Sequence, residues 1–149
     1  MLFRSEEFFS TADKNSADNA LRWLDLCAGP GGKAGYLDAL IVHGEFVANE
    51  ISESRAKLVA NVLRRGRVTN VDGREFSSYL GTFDRILIDA PCSGLGALRR
   101  RPEVRWRRTP EDIAKLQHLQ RQLLGEAARG LNSGGIIGYA TCSPHLKIG

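Results

Sequence analysis

Two cysteines and one aspartate stand where the sequence predicts the ends of buried strands. Cys92 lies in residues 89–94, Asp-Ala-Pro-Cys-Ser-Gly, after an apolar run, and Cys142 lies in residues 139–144, Tyr-Ala-Thr-Cys-Ser-Pro. A thiolate is a strong nucleophile, and cationic neighbours lower the pKa of a thiol. A single cysteine is more often a buried, unreactive side chain. Two such thiols, with Asp89 beside one of them, favour nucleophilic chemistry.

A glycine-rich turn, Cys-Ala-Gly-Pro-Gly-Gly-Lys, occupies residues 27–33. The spacing Gly29-x-Gly31-x-x-Ala34 satisfies the dinucleotide fingerprint, and Glu50 follows at about the 20-residue distance that this fingerprint expects. Glycines let the backbone approach a ligand, and a carboxylate such as Glu50 can accept hydrogen bonds from two ribose hydroxyls. The pattern indicates a nucleoside-containing cofactor and does not separate NAD from S-adenosylmethionine. It excludes a P-loop, because Cys27 stands where the first glycine is needed.

Asp72 ends the third strand-like run, in the sequence Asp-Gly-Arg. A carboxylate at this place in an adenosyl-binding site can accept a hydrogen bond from the adenine amine. An Asp-Gly turn without a binding role explains the residue equally well.

The composition is that of one soluble globular domain: 149 residues, 42% hydrophobic and 26% charged, with a formal net charge of +4. Six arginines are concentrated in one short segment, which favours a polyanionic partner over a merely solvated surface. They are Arg99, Arg100, Arg101, Arg105, Arg107 and Arg108. Three cysteines without a CxxC pair predict neither a disulfide framework nor a zinc site, so no metal is expected. No signal peptide or membrane span is recognisable, which predicts a cytoplasmic protein.

Hydrophobic periodicity predicts five strands that alternate with helices. The predicted strands are Arg22–Ala28, Glu45–Ile51, Val68–Val71, Phe83–Asp89 and Ile136–Thr141. Ser52 and Thr109 stand at helix starts, and residues 132–135 read as a turn. This alternation is typical of an α/β fold with a doubly wound parallel sheet, in which all carboxyl ends of strands share one edge. The motifs described above all fall at that edge, where such folds bind ligands.

The three motifs taken together resemble the Fmu/Sun (RsmB-like) RNA cytosine-5 methyltransferases. They are residues 27–33, 89–94 and 141–144, and the arginine-rich segment from Arg99 to Trp106 also resembles that family. The resemblance covers residues 21 to 145. It implies a Rossmann-like S-adenosylmethionine-dependent methyltransferase fold with strand order 3-2-1-4-5, and an RNA substrate, ribosomal RNA above all.

The resemblance also implies residue roles. Cys142 matches the nucleophile that adds to carbon 6 of cytosine, Cys92 the cysteine that helps release the product, and Asp89 a carboxylate near the methionine portion and the target base. Glu50 would bind the ribose and Asp72 the adenine of S-adenosylmethionine. The residues expected to wrap the cofactor are Cys27, Ala28, Gly29, Pro30, Gly31, Gly32 and Lys33. The arginine-rich segment would contact RNA phosphates.

The chain departs from the family pattern at both ends. Relatives usually carry an N-terminal RNA-binding domain and an antiparallel strand pair after the Thr-Cys motif. We therefore expect residues 1–20 to form an N-terminal leader of uncertain structure, and residues 21–149 a catalytic core truncated at its C-terminus. An exposed edge at the fifth strand would allow self-association. Two other functions stay open: a nicotinamide-dependent oxidoreductase and a non-catalytic RNA-binding remnant.

Overall fold

The computed structural model describes residues 20–92 and 109–141. Within them a five-stranded sheet has the order β3-β2-β1-β4-β5, and every neighbouring pair is parallel. The strands are β1 (Arg22–Asp25), β2 (Glu45–Asn49), β3 (Arg67–Thr69), β4 (Phe83–Asp89) and β5 (Leu131–Ala140). The predicted fold class and strand order are confirmed.

The first three strands end earlier than the sequence pattern predicts, and only β4 has its predicted bounds. The pattern placed Leu26, Ile51 and Val71 inside strands because they are apolar. Leu26 is buried, but it follows the last paired residue of β1. Residues beyond the paired segments form the turns that carry the site.

The predicted turn at residues 132–135 is instead an irregularity within β5. Leu131 pairs with Phe83, whereas Ile136 already pairs with Arg85, so β5 contains extra residues at this point. Gly134 has a φ of 77° there, a left-handed conformation that glycine adopts readily. The Asn132 amide donates to the Asp84 carboxylate at 2.9 Å, which fixes the bulge to β4.

Helices cover both faces of the sheet. They are α1 (Gly32–Leu40), α2 (Glu53–Ala60), α3 (Phe76–Leu80) and α4 (Pro110–Arg129). One buried cluster joins the sheet to α1 and α2 through residues such as Ala34 and Val59. A second cluster joins the opposite face to α3 and α4 through Phe76 and Leu123. None of the helices in the described ranges is long and apolar enough to cross a membrane.

The helices differ from the sequence pattern in three respects. Ser52 precedes α2 as predicted, but its side chain makes no capping hydrogen bond. On α4, Leu123 and Ala127 are buried, whereas the neighbouring Leu124 is 43% exposed. The short helix α3 was not predicted, since five residues are too few to show a helical period.

The start of α4 agrees with the prediction from Thr109 and Pro110. The Thr109 hydroxyl accepts from the Asp112 backbone N–H at 3.3 Å, and the Asp112 carboxylate accepts from the Thr109 N–H at 3.1 Å. This reciprocal pair satisfies two backbone donors that the first helical turn would otherwise leave free.

We expect Thr109→Ala to lower the free energy of unfolding by about 1 kcal/mol, the usual cost of losing such a cap. Thr109→Ser keeps the hydroxyl and should stay close to wild type. Urea unfolding of the three proteins measures the difference. Equal losses in both variants would show that the hydroxyl does not cap the helix.

Candidate active site

A cavity of about 390 Å³ opens at the carboxyl ends of β1, β2 and β4. This volume lies within the range typical of small-molecule sites. Its polar lining includes carboxylates from three different segments, namely Glu50 after β2, Asp72 after β3 and Asp89 at the end of β4. Leu119 and Leu123 of α4 form an apolar wall. The parallel sheet thus brings together residues that lie far apart in the sequence.

The glycine turn is fixed to the sheet through Glu50. The Gly29 backbone N–H donates to Oε2 of Glu50 at 3.0 Å, and a Cβ on Gly29 would lie 2.3 Å from that oxygen. Only glycine therefore permits this approach without a shift of the carboxylate. Oε1 of Glu50 accepts from the Ser52 N–H at 2.8 Å and from the Arg55 guanidinium at 2.7 Å. The carboxylate is thereby held in one orientation at the rim of the cavity.

Asp72 lines the same cavity and follows β3, which is an edge strand of the sheet. Its two oxygens accept from the Arg74 side chain at 2.5 to 3.0 Å. These hydrogen bonds hold the pKa of the Asp72 carboxyl below its usual range. Asp72 is consequently a charged acceptor whose partner, Arg74, also lines the cavity.

Asp89 forms an ion pair with Lys33, the last residue of the glycine turn. The Lys33 and Asp89 side chains are 56% and 38% exposed, so a ligand could reach both groups. This contact joins the end of β4 to the start of α1 across the mouth of the site. An aspartate and a lysine in contact can together hold a polar ligand group or move a proton.

Cys27 lines the same cavity but has a protonated thiol. Burial, followed by the charges of Asp25 and Glu50, raises the pKa of Cys27 to about 12. A thiol with that pKa is a poor nucleophile at neutral pH. Cys27 is therefore suited to packing in the turn and not to attack.

Asp25 is the last residue of β1, and only Leu26 separates it from the glycine turn. Its side chain is fully buried, and neither carboxyl oxygen has a hydrogen-bond partner. Burial, and secondly the charge of Asp89, raises the pKa of Asp25 to about 7, although the Cys27 backbone lowers it in part. A carboxyl with this pKa exchanges its proton near neutral pH. None of the sequence motifs includes Asp25, which stands just before the glycine turn.

The cavity contains five of the residues predicted to bind a cofactor, namely Cys27, Gly29, Glu50, Asp72 and Asp89. The remaining predicted residues of the turn, 28 and 30–33, belong to the same loop or to the first turn of α1.

Cys92 is half-buried three residues beyond β4. It is disulfide-bonded, a state that the cysteine count did not predict. A disulfide sulfur is not a thiolate, so any nucleophilic role of this cysteine requires reduction first. Cys142 and the arginines at 99–108 lie outside the described residues.

Two lining residues escaped the sequence analysis, Arg55 and Asn49. Arg55 stands five residues after Glu50, on the first turns of α2, where a helical position facing the strand end could have been anticipated. Asn49 is the last residue of β2 and is completely buried. A polar residue at the end of an apolar strand was the available signal.

A family model described as 16S rRNA methyltransferase RsmB/F matches residues 14–147. A candidate methyltransferase of Mycobacterium tuberculosis is 55% identical over 84% of this chain and 28% of its own length. Ribosomal RNA small subunit methyltransferase B of Escherichia fergusonii is 40% identical over 93% of this chain and 36% of its own length.

Among solved structures, NSun6 from Pyrococcus horikoshii with SFG has a TM-score of 0.77 and 25% identity. The match covers 99% of this chain and 38% of that one. The chain thus spans only about a third of the length of these relatives.

The environment of Asp25 makes a testable prediction about stability and pH. The unfolded pKa is near 3.8 and the folded pKa about 7, so the folded state binds an extra proton between these values. Its contribution to the free energy of unfolding therefore falls as the pH rises from about 4 to about 7, by up to roughly 4 kcal/mol. Asp25→Asn cannot ionise, and it should gain stability relative to wild type across this window. Urea unfolding at several pH values measures the difference.

Asp38→Asn is the matched control with the opposite sign. Burial alone would raise the pKa of Asp38, but the backbone N–H groups of Arg64, Gly66 and Arg65 lower it. The ionised Asp38 carboxylate therefore contributes to the free energy of unfolding above its unfolded pKa, and this contribution is lost as the pH falls. Because Asp38→Asn lacks the contribution, it should become less stable relative to wild type as the pH rises. The same pH trend in both variants would contradict the assignment.

Proposed function

Because the chain belongs to the 16S rRNA methyltransferase RsmB/F family, we propose that it is the catalytic unit of an S-adenosylmethionine-dependent RNA cytosine-5 methyltransferase. The proposed substrate is ribosomal RNA, as the names of relatives say of those proteins. A cytoplasmic location accords with such a substrate.

The observation that carries the proposal is the cavity lined by Glu50, Asp72 and Asp89. A nucleoside needs hydrogen-bond acceptors for its hydroxyl and amino groups, and these carboxylates supply them. A cationic sulfonium and an α-ammonium group are favoured near negative charge. Gly29 of the glycine turn also lines this cavity, and its backbone N–H holds the Glu50 carboxylate there. These hydrogen-bond acceptors and the volume of the cavity therefore fit S-adenosylmethionine.

In the proposed complex, Glu50 accepts from the ribose hydroxyls and Asp72 from the adenine amine. Asp89 and Lys33 lie at the mouth, where the methionine portion and the target base would meet. When bound, S-adenosylmethionine supplies an electrophilic methyl group on a sulfonium. The residues around it orient that group and exclude water from one side through the apolar wall of α4.

Cysteine chemistry is the proposed means of activating the base. Carbon 5 of cytosine is a poor nucleophile, but addition of the Cys142 thiolate to carbon 6 breaks the aromaticity and gives carbon 5 enamine character. Carbon 5 would then take the methyl group, whose bond to the sulfonium sulfur breaks so that a neutral thioether leaves. The ring is restored when carbon 5 loses its proton to a base and the bond between carbon 6 and sulfur breaks. We assign Cys92 to these last steps, in which the proton and the Cys142 sulfur leave the ring. We assign Asp89 to stabilising the protonated ring of the adduct.

The target base must be unpaired or flipped out of a helix for Cys142 to reach it. The arginines at 99, 100, 101, 105, 107 and 108 are proposed to contact phosphates of the surrounding RNA. Such contacts release counterions, so RNA affinity should fall as salt rises.

A nicotinamide-dependent oxidoreductase is the first alternative, and the comparisons do not favour it. Calorimetric titration of this chain with S-adenosylmethionine, and with NAD as the comparator, separates the two. We expect saturable micromolar binding of S-adenosylmethionine and no binding of NAD. Binding of NAD alone would overturn the proposal.

The same titration tests Glu50. Glu50→Gln removes the charge from the rim and should weaken S-adenosylmethionine binding at least about tenfold, since charged hydrogen bonds contribute about 1.5–3 kcal/mol each. Glu53→Gln makes the same change three residues further on, at a side chain that is 75% exposed and paired with Lys57. It should bind like wild type. Equal weakening in both variants would remove Glu50 from the site.

Methyl transfer to a ribosomal RNA fragment under reducing conditions tests the cysteines. Cys142→Ser should abolish transfer and keep cofactor binding. Cys92→Ser should allow addition to the base but impair release, so that a covalent protein–RNA adduct accumulates on a denaturing gel. Full transfer by Cys142→Ser would exclude the nucleophile assignment. Salt-sensitive RNA binding without any transfer by the wild type would favour the non-catalytic remnant.

A further inference from the structure

The side-chain amide of Asn49 donates two hydrogen bonds and accepts two. Oδ1 accepts from the Val71 backbone N–H and from the Thr69 hydroxyl, each at 3.0 Å. Nδ2 donates to the Val71 carbonyl at 3.0 Å and to the Leu26 carbonyl at 3.3 Å. Asn49 is 0% exposed, so water cannot replace these partners.

The side-chain hydrogen bonds of Asn49 continue the connection between β2 and the chain after β3, beyond the last paired residues of the two strands. The pairing of β2 with β3 ends at Asn49 and Thr69, and β3 is a three-residue edge strand that is exposed at Arg67 and half-buried at its other two residues. Beyond Thr69 the chain has no further strand partner of its own in this ladder. The Asn49 amide exchanges both a donor and an acceptor bond with Val71, as a paired residue in a strand would. It thereby extends the sheet up to the residue before Asp72.

The same residue is joined to the glycine turn. The Ala28 backbone N–H donates to the Asn49 carbonyl at 2.9 Å, in addition to the bond from the amide to Leu26. Asn49 also directly precedes Glu50, whose N–H donates to the Thr69 carbonyl at 3.1 Å. One buried residue therefore holds the three segments that carry the turn, Glu50 and Asp72.

We propose that Asn49 is a positioning residue for the nucleoside end of the cofactor and acts chiefly through Asp72. This inference rests on the proposed function, because it assigns Asp72 to the adenine. Glu50 has its own three hydrogen-bond donors, whereas Asp72 is attached to the sheet through the segment that Asn49 holds. Loss of the amide should let Asp72 move away from its place in the cavity while leaving Glu50 in position.

A double-mutant cycle tests this mechanism, with the dissociation constant for S-adenosylmethionine as the readout. Asn49→Ala should weaken binding about tenfold, since all four side-chain hydrogen bonds of Asn49 are lost, two of them to Val71. Asp72→Ala should weaken binding by a similar factor or more. If Asn49 acts through Asp72, the double variant binds no more weakly than Asp72→Ala alone. A general loss of folding would instead add its effect to that of Asp72→Ala, and this additive result would overturn the inference.

Two further variants keep the test decisive. Asn61→Ala is the same change at an exposed position after α2, and it should bind like wild type. Should Asn49→Ala not fold, Thr69→Val takes its place in the cycle, because it removes only the hydroxyl that donates to Asn49. We expect about threefold weaker binding from Thr69→Val, and no additional loss when it is combined with Asp72→Ala.

The outcome for the wild type separates the two levels of the proposal. Wild type that takes up no S-adenosylmethionine would refute the proposed function and the role of Asn49 with it. Wild type that binds, with an additive cycle, would refute the role of Asn49 alone.

Discussion

Parallel pairing of β1 with both β2 and β4 is the constraint on which the site depends. Because the three strands run parallel, their carboxyl ends lie at one edge of the sheet, and the residues that follow them converge there. The carboxylates of Glu50 and Asp89 come from strands on opposite sides of β1, and the glycine turn leaves β1 between them. The cavity at this edge therefore follows from the topology, and the hydrogen bond from Gly29 to Glu50 closes one of its sides.

The convergence of strand ends also places several carboxyl groups close together. The local hydrogen bonds of each carboxyl group decide whether its pKa rises or falls. Asp38 and Asp25 are both buried aspartates, yet their pKa values move in opposite directions. Three backbone N–H groups stabilise the charged form of Asp38, whereas the Cys27 backbone offsets the burial of Asp25 only in part. Burial without partners favours the neutral carboxyl. A proton at Asp25 thus relieves repulsion with Asp89 in the absence of a cationic ligand.

Local patterns in the sequence were sufficient for the parallel α/β fold, for the start of α4 at Thr109 and for the edge at which the motifs meet, whereas the strand order was expected from the family resemblance. Apolar runs and cap residues are short-range signals, and a parallel doubly wound sheet has few alternative topologies. The bulge in β5 was missed because it depends on the pairing of Ile136 with Arg85, far away in sequence. Asn49 was missed for the same reason, since its partners lie 20 or more residues away on both sides. Such contacts exist only after the sheet has formed.

Glu50 and Asp72, the two carboxylates proposed to bind the nucleoside, differ in how firmly the protein holds them. The Glu50 side chain is 4% exposed and has three donors from the protein, so it is already ordered before a ligand arrives. Asp72 is paired with Arg74, a side chain that is 46% exposed and that must share or release the carboxylate when another donor binds. Ordering a flexible group costs free energy on binding, and a preformed group avoids that cost. We therefore expect the Glu50 carboxylate to keep its position when a ligand binds. The Asp72 carboxylate would exchange its partner and shift slightly, and the hydrogen bonds from Asn49 to Val71 would restrict that shift.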